Sequence, residues 1–447
     1  MKLARYHFSP VASFAALTLT CAVAQAQPAA PAMVPDTLDL KTAISFALEN
    51  NFAIRQARER IRQQDGVVIE VSARTLPNVG VDAAYQRNDR DISNGFPASD
   101  QAWQINLTAS QLLYSGGGVQ SAVRGSKLVR EAALLDLQAV INDALLLVRT
   151  SFYTVLLAAE QIKVQESNLE LLQQQLKTAT DRFDAGTVSS FEKLRAEVAV
   201  ANAKVPLITA RNDYRIAIET LRQALGFTTA TPETLRKVPT FIGTLDFTPQ
   251  NFDLQAAFDA ARAKRPDLER IAKLAEARAE GIVTARSARR PTVAAFGGYT
   301  LRKGTTDNLG DSNHGWLVGV QSQWDIFDGK ATAGRVAQAR SLHEQSKLTL
   351  SEAQLAIDVE VRRAHSQWQQ ATELAEAAQR VVEQATEAVR LANARYNAGT
   401  GTQLDVLSAQ TELTTARTNQ IQANYGYNVA VAALRKAMGQ ADEFVTK

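Results

Sequence analysis

The chain has 447 residues, with 49 Lys plus Arg against 46 Asp plus Glu and a single cysteine. So even a charge balance creates no field that would gather nucleic acid, and the lone Cys21 excludes a disulfide framework or a thiolate metal cluster. Beyond the N-terminus every apolar stretch is broken by Arg, Glu or Gln before it reaches the roughly 18 residues of a transmembrane helix, so a membrane span would have to be made of strands.

The first element is a secretion signal over 1–26. Lys2 and Arg5 precede an apolar run from Val11 to Val23 and the small-x-small cleavage site Ala24-Gln25-Ala26. Cys21 follows Thr18-Leu19-Thr20, which lacks both the leucine three places before and the small residue immediately before that lipidation requires; this favours ordinary cleavage after Ala26.

From there the chain is written twice. Leu38-Asp39-Leu40-Lys41-Thr42-Ala43 returns as Phe252-Asp253-Leu254-Gln255-Ala256-Ala257, and Pro77 answers to Pro291, Trp103 to Trp316, Gly186 to Gly399 and Gly226 to Gly439, at separations of 213 or 214 residues. A period this long marks a duplicated unit, here 27–226 and 251–439. The linker 227–250 carries Pro232, Pro239 and Pro249 and predicts little regular structure, and 440–447 is a tail.

Within each unit a helix reaching Pro77 or Pro291 leads into two strands, about 77–87 and 103–114 in the first unit and 291–301 and 316–327 in the second. In the first, Trp103, Ile105, Leu107 and Ala109 alternate with Gln104, Asn106, Thr108 and Ser110; residues 316–324 alternate more loosely. Strands of about 9 to 11 residues, apolar outward and polar inward, match an outer-membrane barrel. Tyr85, Trp103, Tyr299, Trp316 and Trp324 are then its membrane-interface aromatics. The stretches between strands, 88–101 and 303–315, are dense in Asp, Asn, Ser and Gly, as exposed loops are. Four strands cannot close a barrel, and an open edge in hydrocarbon leaves backbone groups unsatisfied, so the chain must oligomerise.

No proline falls between Pro97 and Pro206 or after Pro291, and 119–183 and 332–396 are rich in strong helix formers. Helices of that length reach roughly 100 Å. They end at Arg182-Phe183-Asp184-Ala185-Gly186-Thr187 and Arg395-Tyr396-Asn397-Ala398-Gly399-Thr400, where glycine suits the left-handed position past a helix end. Capping boxes Ser189-x-x-Glu192 and Thr402-x-x-Asp405 begin the returning helices and complete antiparallel hairpins over 119–226 and 332–439.

This order, the strand-to-helix corners Leu113-Tyr114-Ser115-Gly116-Gly117 and Ile326-Phe327-Asp328-Gly329, and the turn motif followed by Leu404-Asp405-Val406-Leu407 resemble the TolC-like outer membrane factors, the outer membrane efflux protein family. The resemblance covers essentially the whole mature chain. It implies an α+β membrane protein with a duplicated helix-strand-strand-helix-helix unit. Three copies would form a 12-stranded outer-membrane β-barrel continued by a long periplasmic α-helical barrel. Its implied function is the passive exit duct of a tripartite efflux or type I secretion system. The implied partners are the other copies of a homotrimer, a periplasmic adaptor (membrane fusion) protein, an inner-membrane efflux pump or ABC-type secretion transporter, and outer-membrane lipid.

The same resemblance places Asp405 in an acidic ring at the periplasmic aperture, with capping as a compatible second role, and puts Ser408 where the family has its second aspartate. Tyr396 and Glu192 correspond to a hydrogen-bonded aperture latch, while Gly401 stands where a second latch uses arginine. Gly186, Thr187, Gly399 and Thr400 form the hairpin tips that contact the adaptor.

Arg286, Arg289 and Arg290, just before Pro291, read either as lipid-phosphate contacts or as a solvated helix face. His314, His343 and His365 are scattered, and no phosphate loop, nucleophile elbow or pocketed carboxylate pair accompanies them, which points to no enzyme, cofactor or metal. A competing reading is a secreted periplasmic coiled-coil scaffold without a pore, against which the lipid-facing Trp103, Ile105 and Leu107 argue. Cargo is not legible, because one duct architecture serves drugs, metals and secreted proteins.

Overall fold

A computed structural model describes residues 36–87, 89, 101–227, 238–304 and 309–444. The signal segment 1–26 and most of the first outer loop lie outside the described residues.

The chain opens with β1 (Thr37–Asp39), α1 (Leu40–Asn50) and α2 (Phe52–Ala73), then the hairpin of β2 (Asn78–Arg87) and β3 (Gln101–Tyr114), and then the long pair α3 (Gly118–Asp184) and α4 (Ser190–Leu225). After β4 (Thr240–Ile242) the plan repeats as α5 (Leu254–Lys264), α6 (Pro266–Ser287), β5 (Thr292–Lys303), β6 (Ser312–Gln323), α7 (Ala331–Asn397) and α8 (Gln403–Ala437). Asp39 and Asp253 cap the two equivalent first helices by accepting the backbone N–H of Thr42 and Ala256. α3 and α7 have 67 residues each, or roughly 100 Å. Pro206 sits inside α4, where its ring removes one backbone hydrogen bond without ending the helix.

Two packed zones lie at the midpoints of the long helices. Leu38, Ile44, Leu145, Val148, Phe152, Val155, Leu221 and Leu225 form the first; Val361, Trp368, Tyr427 and Leu434 anchor the second. α3 holds one stretch long and apolar enough to cross a membrane by composition, but half of that stretch is buried inside the protein. Its apolar residues are used on this core.

The linker is not structureless. Thr240–Ile242 runs parallel to Thr37–Asp39, with Leu38 opposite Phe241, and Phe241 packs edge-on against Phe152 and Tyr214. Its prolines bracket the strand rather than interrupt it, and the start of the first unit supplies the edge it needs.

The larger sheet has the order β2-β3-β5-β6, antiparallel throughout. β6 spans Ser312–Gln323, four residues earlier at both ends than the expected 316–327, and β5 runs on to Lys303. The second hairpin is therefore taller than its sequence implied: Lys303 still pairs with Ser312, inside the stretch expected to be loop. Trp316 and its partner Tyr299 sit within the hairpin, not at a strand start.

Candidate functional site

The register sorts the sheet into two faces. Val81, Leu107 and Tyr299 lie in one row that continues to Trp316, and Ala83, Ile105 and Leu301 in the next, which ends at His314; apart from His314 these two rows are apolar, and Gln111 lies farther along the same face. On the other face Asp82, Asn106, Thr300 and Gly315 form one row and Gln104, Arg302 and Asn313 another. Leu112, Phe296 and Leu317 depart from the polar pattern. A Cβ at Gly319 would come within 2.7 Å of the Phe296 ring, so this glycine is the space into which the ring lies. Both faces are open: every residue of β2 is exposed, and Trp316 is 79% exposed.

Aromatics mark the ends of the sheet. Tyr85 pairs with Trp103 near the outer loops, where the Trp103 indole N–H donates to the Leu309 carbonyl. At the opposite end, just past β6, the Trp324 indole N–H donates to the Arg289 carbonyl. The Arg290 guanidinium donates to the Gly116 carbonyl, tying the first strand-to-helix corner to the end of α6. Arg286 and Arg289 are exposed beside it.

The distal end of each hairpin is a Schellman turn. Thr187 N–H donates to the Arg182 carbonyl and Gly186 N–H to that of Phe183; Thr400 with Arg395 and Gly399 with Tyr396 repeat the pattern. Gly186 and Gly399 have φ of 71° and 74° and open space where a Cβ would be, so only backbone conformation demands glycine. Thr187 and Thr400 are exposed, and each hydroxyl donates back to its turn's arginine carbonyl.

The two returning helices start differently. Thr402 and Asp405 form a reciprocal capping box: the carboxylate accepts Thr402 N–H and Oγ1 at 2.9 Å each, and Asp405 N–H donates to Thr402 Oγ1. These bonds from the Thr402 backbone and hydroxyl hold the Asp405 carboxyl below its usual range, with help from Arg395. The corresponding box on α4 does not form, because the Ser189 side chain makes no cap bond; Glu192 N–H donates instead to the Ser189 carbonyl. Ser408 is exposed one turn beyond Asp405.

Within the chain Tyr396 and Glu192 share no hydrogen bond among the described residues. Arg182 lies over the Tyr396 ring instead, 4.6 Å from its centroid, and carries a contact between hairpins that the sequence reading did not assign. Its signal was available, since Arg182 opens the first turn motif and belongs to a heptad series. Below it, Gln175 donates to Gln410 at 2.6 Å, Thr414 to Asn168 at 3.0 Å, and the Thr154 and Tyr425 hydroxyls meet at 3.2 Å. The residues of α3 at 175, 168 and 154 that meet α8 fall on one seven-residue stripe, which Arg182 continues toward α7; this stripe of the α3–α8 seam is polar, while Leu407 of α8 packs beside it on Leu172, Val200 and Ala203. The α3–α4 contact inside the first hairpin is apolar, built on Leu172, Val200 and Ala203.

A sheet with one lipid-like face, one polar face and no further strand at either edge among the described residues, carried on helices of tunnel length, defines a channel-forming subunit of an outer membrane. The chain belongs to the outer membrane efflux protein family, whose profile matches residues 43–227 and 257–440. It is 26% identical over 422 residues to protein CyaE of Bordetella pertussis (92% of this chain, 86% of that one) and 27% identical over 425 residues to the pyoverdine export outer membrane protein OpmQ of Pseudomonas putida (90% and 87%). Its fold matches the outer membrane protein VceC of Vibrio cholerae with a TM-score of 0.76 at 17% identity, over 90% of this chain and 96% of that one. The protein is therefore a TolC-like outer-membrane exit duct that extends into the periplasm.

Proposed function

We propose that three copies close one 12-stranded barrel and one helical tunnel, and that this duct passes cargo handed over by a periplasmic adaptor and an inner-membrane efflux pump or secretion transporter. The observation that carries the reading is the four-stranded sheet with opposed apolar and polar faces and, among the described residues, no further strand beside β2 or beside the outer edge of β6. In hydrocarbon such edges demand further strands, and a second and third copy supply them. Gly186, Thr187, Gly399 and Thr400 form the surface that meets the adaptor.

The closed end lies at the tips, where Asp405 copies gather in a ring and Ser408 leaves it a single acidic layer. Tyr396 and Glu192, unbonded within one chain, act as a latch between copies. Opening separates the hairpins along the α3–α8 seam. The polar pairs there, Gln175 with Gln410, Asn168 with Thr414 and Thr154 with Tyr425, hold less firmly than the apolar contacts within each hairpin, since their hydrogen bonds replace those to water at small net gain. Energy for transport comes from the partner pump.

Native mass measurement in mild detergent should give a trimer, and a folded monomer would defeat the barrel. In single-channel recordings Asp405→Asn should lower cation selectivity and weaken block by multivalent cations, while Ser408→Asp should strengthen both. Unchanged selectivity in both variants would leave Asp405 as a helix cap alone.

A further inference from the structure

Resting on the trimeric reading above, we infer that the free edges of the sheet join in one particular register, with Val320 of β6 opposite Tyr85 of β2 in the next copy, and that Trp324–Phe327 become strand only when this pairing is made. The duplication supplies the template. β3 maps onto β6 by 213 residues, as Trp103 onto Trp316, and β2 maps onto β5 by 214, as Asn78 onto Thr292.

The two hairpins test the mapping inside one chain. The pair Asn78–Ser110 of β2 and β3 should become Thr292–Gln323, and that is the pair β5 and β6 make. The contact between the units is β3 with β5, where Leu107 faces Tyr299 and Gln111 faces Ala295. Carried to the two outer edges of the sheet, beside which the described residues place no strand, these pairs become Val320 with Tyr85 and Trp324 with Val81.

Two independent features agree with that register. The first is the sidedness of the sheet: Val320 and Trp324 meet Tyr85 and Val81, which share the apolar face, while Gln321 and Gln323 meet Ala84 and Asp82 on the polar face; past Trp324 the bulge at Leu113 of β3 carries over to Ile326, so that Phe327 meets Val79 as Tyr114 meets Val293. A slip by one residue would turn every side chain to the wrong face. The second is strand length. β3 runs to Tyr114, whose counterpart is Phe327, yet β6 stops at Gln323. β3 has β5 beside it to its end; past Gln323, where β5 begins, β6 has no strand on either side among the described residues. Trp324, Ile326 and Phe327 are left 57%, 84% and 82% exposed, as residues awaiting a neighbouring strand would be.

The mapping also describes the helices above the sheet. Ser121 and Arg124 of α3 hold Glu280 of α6; the counterparts between copies are Gly334 and Ala337 against Gly66. Gly66 and Gly334 both have open space at the Cβ position, which lets the two helices approach closely where the internal seam uses an ion pair.

The test uses engineered cysteines in the full chain with Cys21→Ala. Neighbouring antiparallel pairs alternate between the close and the wide type, so Val320→Cys with Tyr85→Cys and Gln321→Cys with Ala84→Cys together include one pair within disulfide reach. Oxidation in isolated outer membranes should give covalent dimers and trimers from at least one of these. Val320→Cys with Ala83→Cys, slipped by two residues or about 6–7 Å, should give less than a tenth as much. A slipped pair that crosslinks as well as the aligned ones would overturn the register, as would failure of both aligned pairs in chains that are trimeric by native mass. A monomeric Cys21→Ala parent would overturn the trimeric reading as well. In the unsubstituted trimer, slow hydrogen exchange at the amides of Trp324–Phe327 is expected; exchange as fast as in an unstructured segment would refute strand formation there.

Discussion

The equatorial helices and the four-stranded sheet both present large apolar residues, but they cover them differently. Phe152 at the equator is 1% exposed, wrapped by α1, α4 and β4, while Trp316 in the sheet is 79% exposed. The equator satisfies itself within one chain. The sheet has no core of its own, so its apolar face calls for lipid, and in the proposed trimer its edges are covered by other copies. One chain thus contains a body that follows the rules of water-soluble packing and a region whose apolar face is built for a membrane.

Cutting into the equator should give the largest effect. Phe152→Ala removes a fully enclosed ring and should cost about 3–5 kcal/mol, visible as a lowered unfolding midpoint in detergent, where no bilayer contributes. A loss under 1 kcal/mol would mean that the zone collapses around the cavity and is less self-contained than the comparison holds. The sheet answers to its surroundings instead. Leu107→Arg on the apolar face should cost about 2–4 kcal/mol near the bilayer midplane and block assembly in membranes, while Thr108→Arg, in the row of Gly80 and Gly298 on the polar face, should assemble normally. Equal damage from the two would show that the faces have been confused.

The tips should show a smaller, local effect. Gly186→Val or Gly399→Val forces a side chain into left-handed backbone at about 1–2 kcal/mol, with no steric clash to add to it. Barrel insertion should persist while export fails; retained export in the double variant would remove the turns from adaptor docking.

The smallest effect is a pH dependence at the equator. Burial pushes the Asp267 carboxyl up, but the Arg265 hydrogen bond and charge outweigh it and hold it below the ordinary 3.8. A carboxyl depressed in the folded state contributes stability above its unfolded pKa, and that contribution is lost as pH falls through the folded value. The Asp267 contribution is therefore complete above about pH 4 and declines below it. Asp267→Asn should flatten the acid limb of a melting-temperature profile; an unchanged limb would assign acid loss to other carboxylates.

Much of this molecule was legible in its residues because its signals are local and repeated. Proline-free runs of helix formers set α3 and α7, glycine at a left-handed position set their ends, and strict alternation in 103–110 set the lipid face of β3. A fixed offset between halves multiplied each weak motif into a strong one, and the family followed from that order. Boundaries that depend on a partner were not legible. The segment 316–327 reads as one strand, but only its part beside β5 is paired, and Thr240–Ile242 looks like linker until Thr37–Asp39 lies next to it.

The candidate site divides the same way. Sequence marked Gly186, Gly399 and Asp405, because a turn and a cap are written within a few residues. The Thr402–Asp405 box forms as its spacing predicts, but tertiary structure left Ser189 and Glu192, which have the same spacing, without one. It alone set Arg182 on Tyr396, 214 positions along the chain, and lined the α3–α8 seam with Gln175, Gln410, Asn168 and Thr414. The sequence by itself determined which segments are helix, strand and turn and that they occur twice, since these follow from propensity and periodicity over short distances. Only the packing of distant segments decided which polar groups meet, because a hydrogen bond between residues hundreds of positions apart depends on where the whole backbone places them.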